Sequence, residues 1–266
     1  MPIHYEKQDH IVTITIDRYE RRNAIDADHA AELMRCWERF RDDSDAWVAI
    51  ITGVREVFCS GGDLKDMGNI AKELAETGTS PSRDRISNFG EGGFTLKGFD
   101  IFKPIIAAVN GYCLAGGMEL LGGADLRIAS SNAIFAVTEP RRGLFAGGGT
   151  TARLPRQLSW PAAMEFLLLA RNVSAERALR LGLLNEVVPL EALMDTAMEW
   201  AREITLNAPL AVQGTKKSAL LGFRAGSLEE AYRIEDGCAD EVFSTEDARE
   251  GVAAFFERRA PRWQAR

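Results

Sequence analysis

Three short segments carry the groups best suited to chemistry. Residues 110–125 read NGYCLAGGMELLGGAD, with Gly116 and Gly117 just ahead of Glu119. Paired glycines let a ligand approach the backbone closely, and a helix that opens there leaves its first amides unpaired. The Gly116 N–H can then meet an oxygen that becomes negative during a reaction, while Glu119, about one turn on, exchanges a proton with a neighbouring carbon. Residues 59–64, CSGGDL, offer the Gly62 N–H as a second donor. Residues 135–144, FAVTEPRRGL, hold Glu139 directly before Pro140, whose ring biases the preceding backbone toward an extended or turn form; Arg141 and Arg142 are candidates to balance its charge. Two carboxyl groups on separate turns, flanking one substrate, are what general acid–base addition of water requires. Each segment alone also has a plain structural explanation: a tight turn with Asp63 as a helix cap, a glutamate favoured by the helix dipole, a salt-bridged surface corner.

The elements that must position these turns are legible from periodicity. Residues 10–16 are predicted to form a strand of alternating β-branched side chains. Asp26 or Asp28 caps a helix whose apolar positions Ala30, Leu33, Met34, Trp37 and Phe40 recur every three or four residues, and the charged run at 38–45 closes it. WVAIIT (47–52) and IIAAVNG (105–111) read as strands buried on both faces, and DLRIAS (125–130) as a third. A short helix fits 115–123. Strand, glycine-rich turn and helix thus repeat as a unit. The stretch 64–98 is the least regular, with short helical pieces near Ala71–Glu76, and is expected to form a pocket wall or lid. From Trp160 on, the pattern is helical apart from a short NEVVP strand. Ser244 with Asp247 suggests a capping box, and Val252, Phe255 and Phe256 give the last helix an apolar stripe that a partner subunit can cover.

The 266 residues, 46% hydrophobic, suffice for one large core with an appended region. A net charge of -7 disfavours nucleic acid as the main partner. Four scattered cysteines without a C-x-x-C pair, and three histidines, make a structural metal site a poor expectation. The charged start and the lack of a long apolar window predict a cytoplasmic protein that neither enters nor crosses a membrane.

The motifs FCSGGDL (58–64), NGYCLAGGMEL (110–120) and FAVTEPRRGL (135–144), with the C-terminal TEDAREGVAAFFERRAPRW, resemble the crotonase superfamily over essentially the whole chain, and most of all its enoyl-CoA hydratases. The resemblance implies an α/β fold, a crotonase-like spiral of ββα units over residues 1–200, followed by a helical C-terminal trimerisation region at 201–266. It further implies that the Gly62 and Gly116 amides form an oxyanion hole and that Glu119 and Glu139 are the catalytic pair. Arg22 matches a basic position near the nucleotide end of coenzyme A, with Ala24, Ser60, Gly62, Asp63 and Leu64 as further contacts. The implied partners are an acyl-CoA thioester and further copies of the chain, as a trimer or a dimer of trimers. Coenzyme A arrives as part of the substrate, so no separate cofactor or metal is expected. The implied reaction is syn addition of water to a trans-2-enoyl-CoA, giving a 3-hydroxyacyl-CoA; isomerisation, another crotonase-type reaction or simple acyl-CoA binding are the alternatives. Ser60, Ala115, Pro140 and the arginines of ERR (257–259) depart from the commonest family pattern. Met67, Ile70, Leu74, Phe89, Phe94 and Leu96 are expected to line an extended acyl pocket.

Overall fold

A computed structural model describes residues 3–79 and 93–266. Its ten strands are β1 Ile3–Gln8, β2 Ile11–Ile16, β3 Val48–Gly53, β4 Val57–Cys59, β5 Ile105–Val109, β6 Tyr112–Leu114, β7 Leu126–Ser130, β8 Ile134–Ala136, β9 Val173–Ser174 and β10 Glu186–Val188. The α-helices are α1 Ala27–Asp42, α2 Leu64–Thr77, α3 Gly116–Leu121, α4 Thr150–Gln157, α5 Trp160–Leu169, α6 Ala175–Arg180, α7 Leu193–Thr205, α8 Pro209–Arg224, α9 Leu228–Phe243 and α10 Glu246–Glu257. One sheet has the order β1-β2-β3-β5-β7-β10 and the other β4-β6-β8-β9. Among the described residues only the β1–β2 and β8–β9 pairs are antiparallel.

The repeat is visible in this order. A long first strand (β3, β5, β7) joins the large sheet, a three-residue second strand (β4, β6, β8) steps into the small sheet, and helical structure follows, which is the ββα spiral the resemblance implied. Asn110 fixes the step between sheets: its side chain accepts from the Gly53 amide at 3.1 Å and donates to the Arg55 carbonyl at 2.7 Å. Gly111 beside it admits no side chain, since a Cβ would fall 1.8 Å from the Glu56 carbonyl oxygen.

β3 and β5 are continuous apolar runs because both faces are covered. On one side Leu33, Trp37 and Phe40 of α1 join the main core; on the other Leu193, Ala197 and Ala201 of α7 pack with Val48, Ile50, Ile106 and Ile128. α1 begins as expected, with the Asp26 side chain accepting from the His29 amide at 3.0 Å. Truncating Phe40, which is fully buried, would cost about 3–5 kcal/mol.

Several sequence expectations need correction. β1 precedes the strand predicted at 10–16 and pairs with it as a hairpin through Asp9, whose φ is 53°. Residues 64–77 form one helix instead of short pieces, because Asp63 caps its start and Gly78, at φ 71°, ends it. The capping of α10 falls to Thr245, whose hydroxyl accepts from the Ala248 amide at 3.1 Å; Ser244 closes α9 instead, and Asp247 accepts from the Gln264 and Ala265 amides. The segment 80–92, part of the expected pocket wall, lies outside the described residues.

α8 and α9 pack against each other. The Lys216–Asp125 ion pair at 2.6 Å and the two-point Arg224–Asp100 pair at 2.7 and 2.8 Å tie α8 to the core. α10 leaves Phe255 76% and Phe256 78% exposed. Among the described residues no helix is long and apolar enough to cross a membrane.

Candidate active site

The two glycine-rich turns lie against each other. Gly61 has φ 102°, and a Cβ on it would fall 2.7 Å from the Ala115 Cβ and 2.9 Å from the Gly116 nitrogen. A Cβ on Gly116 would lie 3.2 Å from the Gly61 Cα and 3.3 Å from the Gly62 nitrogen. Only glycine permits this approach. Neither the Gly62 nor the Gly116 amide donates to a protein acceptor among the described residues, so both are left for a ligand.

Each turn is held from outside. The Ile25 amide donates to the Gly61 carbonyl at 2.8 Å, the Asp63 amide to the Ile25 carbonyl at 2.9 Å and the Ser60 amide to the Arg22 carbonyl at 3.2 Å. Arg18 reinforces this edge by reaching the Ala24 carbonyl at 2.9 Å, Asp63 at 3.2 Å and Asp26 at 3.0 Å. On the other turn Ala115 adopts φ 51° and ψ -118°, a conformation that disfavours an L side chain. It is kept there by its amide donating to the Ala136 carbonyl at 2.9 Å and by its own carbonyl, which accepts from the Met118 amide at 2.8 Å. Gly117 lets α3 seat on β4, since a Cβ would meet the Cys59 carbonyl oxygen at 2.4 Å.

Glu119, in the first turn of α3, is buried with only 8% exposure. Burial raises its pKa, and three groups oppose this: the Gly148 amide that donates to its carboxylate, then Lys97, then Arg153. Glu139 opens a 3-10 helix over Glu139–Arg142 and is also buried. Burial pushes its pKa up to about 7; hydrogen bonding to its own amide opposes this, and the Glu119 charge adds to it. Its Oε2 is buried without a hydrogen-bond partner. The two carboxyls are therefore electrostatic neighbours with unequal proton affinities, the usual condition for one to act as acid and the other as base. Arg141 and Arg142 do not pair with Glu139 as expected. Arg142 instead donates to the Thr138 carbonyl at 3.3 Å and opposes the Glu139 shift only at a distance.

Gly62, Gly116, Glu119 and Glu139 thus converge. Arg22, Ala24, Ser60, Asp63 and Leu64 gather along one rim beside the first turn, with Arg22 and Leu64 exposed and the other three half-buried. Of the expected acyl-pocket residues, Phe94 and Leu96 are buried, the first with its Cζ 3.3 Å from where a Gly116 Cβ would be, the second against Gly123. Ile70 and Leu74 are half-buried, and Phe89 lies outside the described residues. Sequence reasoning missed Gly148, Arg153, Lys97 and Arg18. The run Gly147–Gly148–Gly149 was a visible signal for the first.

Residues 6–266 match the family model described as enoyl-CoA hydratase/isomerase. The chain is 39% identical to (E)-benzylidenesuccinyl-CoA hydratase of Thauera aromatica, over 98% of each protein. It is 41% identical to carnitinyl-CoA dehydratase of Citrobacter koseri, over 99% of this chain and 98% of the relative. The crystal structure of enoyl-CoA hydratase from Mycobacterium tuberculosis H37Rv superposes with a TM-score of 0.86 at 37% identity, covering 100% of this chain and 99% of that one. With a match across nearly its full length, the chain belongs to the enoyl-CoA hydratase/isomerase family.

Proposed function

We propose that the protein is an enoyl-CoA hydratase, adding water in the syn sense to a trans-2-enoyl-CoA to give a 3-hydroxyacyl-CoA. The observation that carries this reading is the pair of buried, neighbouring carboxyls beside two unpartnered amides. The thioester oxygen accepts from the Gly62 and Gly116 amides, and these bonds strengthen as enolate charge develops on it. The Glu119 carboxylate takes a proton from the water whose oxygen bonds to C3. Glu139, whose raised pKa keeps a proton on part of the population at neutral pH, delivers that proton to C2; the proton left on Glu119 then passes through solvent back to Glu139, so that the enzyme is restored and one water has been added. Arg22, Ala24, Ser60, Asp63 and Leu64 form the rim that receives the nucleotide end of coenzyme A, which leaves with the product. Carnitinyl-CoA dehydratase and (E)-benzylidenesuccinyl-CoA hydratase, both similar to this chain, are named for the two directions of such a reaction.

To the same proposal belong a cytoplasmic location, division into a core at 1–200 and a helical region at 201–266, and assembly through that helical region as a trimer or dimer of trimers. The test is turnover of enoyl-CoAs of graded chain length in deuterated water, with E119Q and E139Q alongside. Expected are one deuterium at C2 and one hydroxyl at C3 per turnover, and a loss of at least about a hundredfold in each folded variant. A shifted double bond without a hydroxyl, or near-parent turnover in either variant, would sink it.

A further inference from the structure

Arg153 of α4 is a half-hidden guanidinium with an unusual set of partners. It donates to the Thr95 carbonyl at 2.7 Å, to the Leu96 carbonyl at 2.7 Å and to the Glu119 carbonyl at 3.0 Å, and it has no carboxylate partner among the described residues. A Cβ on Gly149 would fall 3.2 Å from its Nη1 and one on Gly122 3.3 Å from its Cδ, so two further turns close around it. Lys97, two residues beyond Thr95, donates from Nζ to the Gly147 carbonyl at 2.8 Å. The next residue, Gly148, donates its amide to the Glu119 carboxylate. Both cations therefore reach Glu119, one through the backbone of its helix and one through the peptide that holds its side chain.

We propose that Arg153 and Lys97 are positioning residues for Glu119, which fix the carboxylate from behind and from the side and supply the positive charge that its buried place otherwise lacks. The role assigned to Glu119 rests on the hydratase reading; the geometry around it does not. Burying a carboxylate favours its protonated form, and a protonated Glu119 cannot take a proton from water. The groups facing Glu119 are Glu139, whose pKa the Glu119 charge raises, the buried Cys59 thiol, and the two cations. Asp100 and Arg224 stand behind Arg153. Burial thus favours the protonated carboxyl, and the Gly148 amide, Lys97 and Arg153 oppose it. Removing either cation should raise the midpoint at which Glu119 takes up a proton.

The test is carbon-13 NMR titration of labelled glutamate carboxyls in an E139Q background, with the signal assigned by its loss on adding E119Q. K97M and R153Q should each raise the Glu119 midpoint by about half a pH unit or more, and R153K, which keeps a cation, by less than half as much. In protein retaining Glu139, R153K should lower kcat about tenfold with KM within about twofold, because a lysine cannot bind three carbonyls in that plane. Lys97 is exposed, so K97M tests the inference even where R153Q does not fold. An unmoved midpoint in K97M, or in folded R153Q, overturns it. Titration needs no turnover, so this result is separate from failure of the hydratase reading, which would show as no hydration by the parent while the midpoint shifts persist.

Discussion

Gly148 and Glu119, 29 residues apart in sequence, leave no room between them: a Cβ on Gly148 would fall 2.3 Å from Oε2 and 2.6 Å from Cδ of the glutamate. The glycine is there because its amide is the carboxylate's only backbone donor among the described residues, and any side chain would take the place the carboxylate occupies.

Gly148→Ala is therefore expected to push Glu119 aside. A misplacement of about 1 Å can cost up to about a hundredfold in rate, so kcat should fall at least about tenfold, with coenzyme A binding within about threefold of the parent. Steady-state kinetics with a coenzyme A competition assay would decide it. Parent-like kcat in the folded variant would mean the carboxylate has a second resting place.

Glu139 should leave a signature in stability. Its pKa is raised from 4.5 to about 7 in the folded protein, so the folded state binds the proton more tightly than the unfolded chain does. The associated stability is fully present below pH 4.5 and is lost as pH rises through about 7. Glu139→Gln removes this dependence. Relative to the parent, the variant should gain on the order of 2–3 kcal/mol between acid and mildly alkaline pH, read by denaturant unfolding at both. A difference that does not change with pH would contradict the shift.

How much of this site was legible depends on how local each cause is. Glu119 could be read because its glycines precede it directly and α1 because its apolar spacing survives in the sequence. The two glycine-rich turns were read separately, yet their contact, Gly61 on Gly116, arises only when β4 and β6 pair, which no local pattern records. Arg153 left no signal at all, since its acceptors are carbonyls of residues 95, 96 and 119, and a carbonyl belongs to every residue type. Arg141 and Arg142 misled in the opposite way: adjacency to Glu139 in sequence suggested ion pairs, but the 3-10 turn points Arg142 back onto Thr138.

Ala115 stands where the backbone asks for glycine. Its φ of 51° with ψ of -118° costs about 1–3 kcal/mol, and glycine's greater freedom in the unfolded chain gives back about 0.5–1 kcal/mol of that relief. Ala115→Gly should thus raise stability by about 1 kcal/mol, with turnover of the acyl-CoA substrate within about twofold of the parent. A lower midpoint in denaturant would show that the Ala115 methyl, packed against Gly61, contributes more than its strain costs.

The last expectation concerns assembly. Phe243, Phe255 and Phe256 are each at least 75% exposed in the single chain, and Val252 is 60% exposed on the same helix as the last two. Burying apolar surface is worth roughly 25 cal/mol per Å², so several uncovered phenylalanines on a short helical region favour association over a free monomer. A closed ring satisfies such a face without leaving an open end for further addition. Light scattering should give about 88 kDa for three chains of 29.3 kDa, or about 176 kDa for a dimer of trimers. Phe255→Ser with Phe256→Ser should shift the mass toward the monomer at low micromolar concentration, while far-ultraviolet circular dichroism stays parent-like because neither ring is buried in its own subunit. A parent mass near 29.3 kDa at all concentrations would refute the assembly, and a double variant that keeps the parent mass would place the interface elsewhere on the chain.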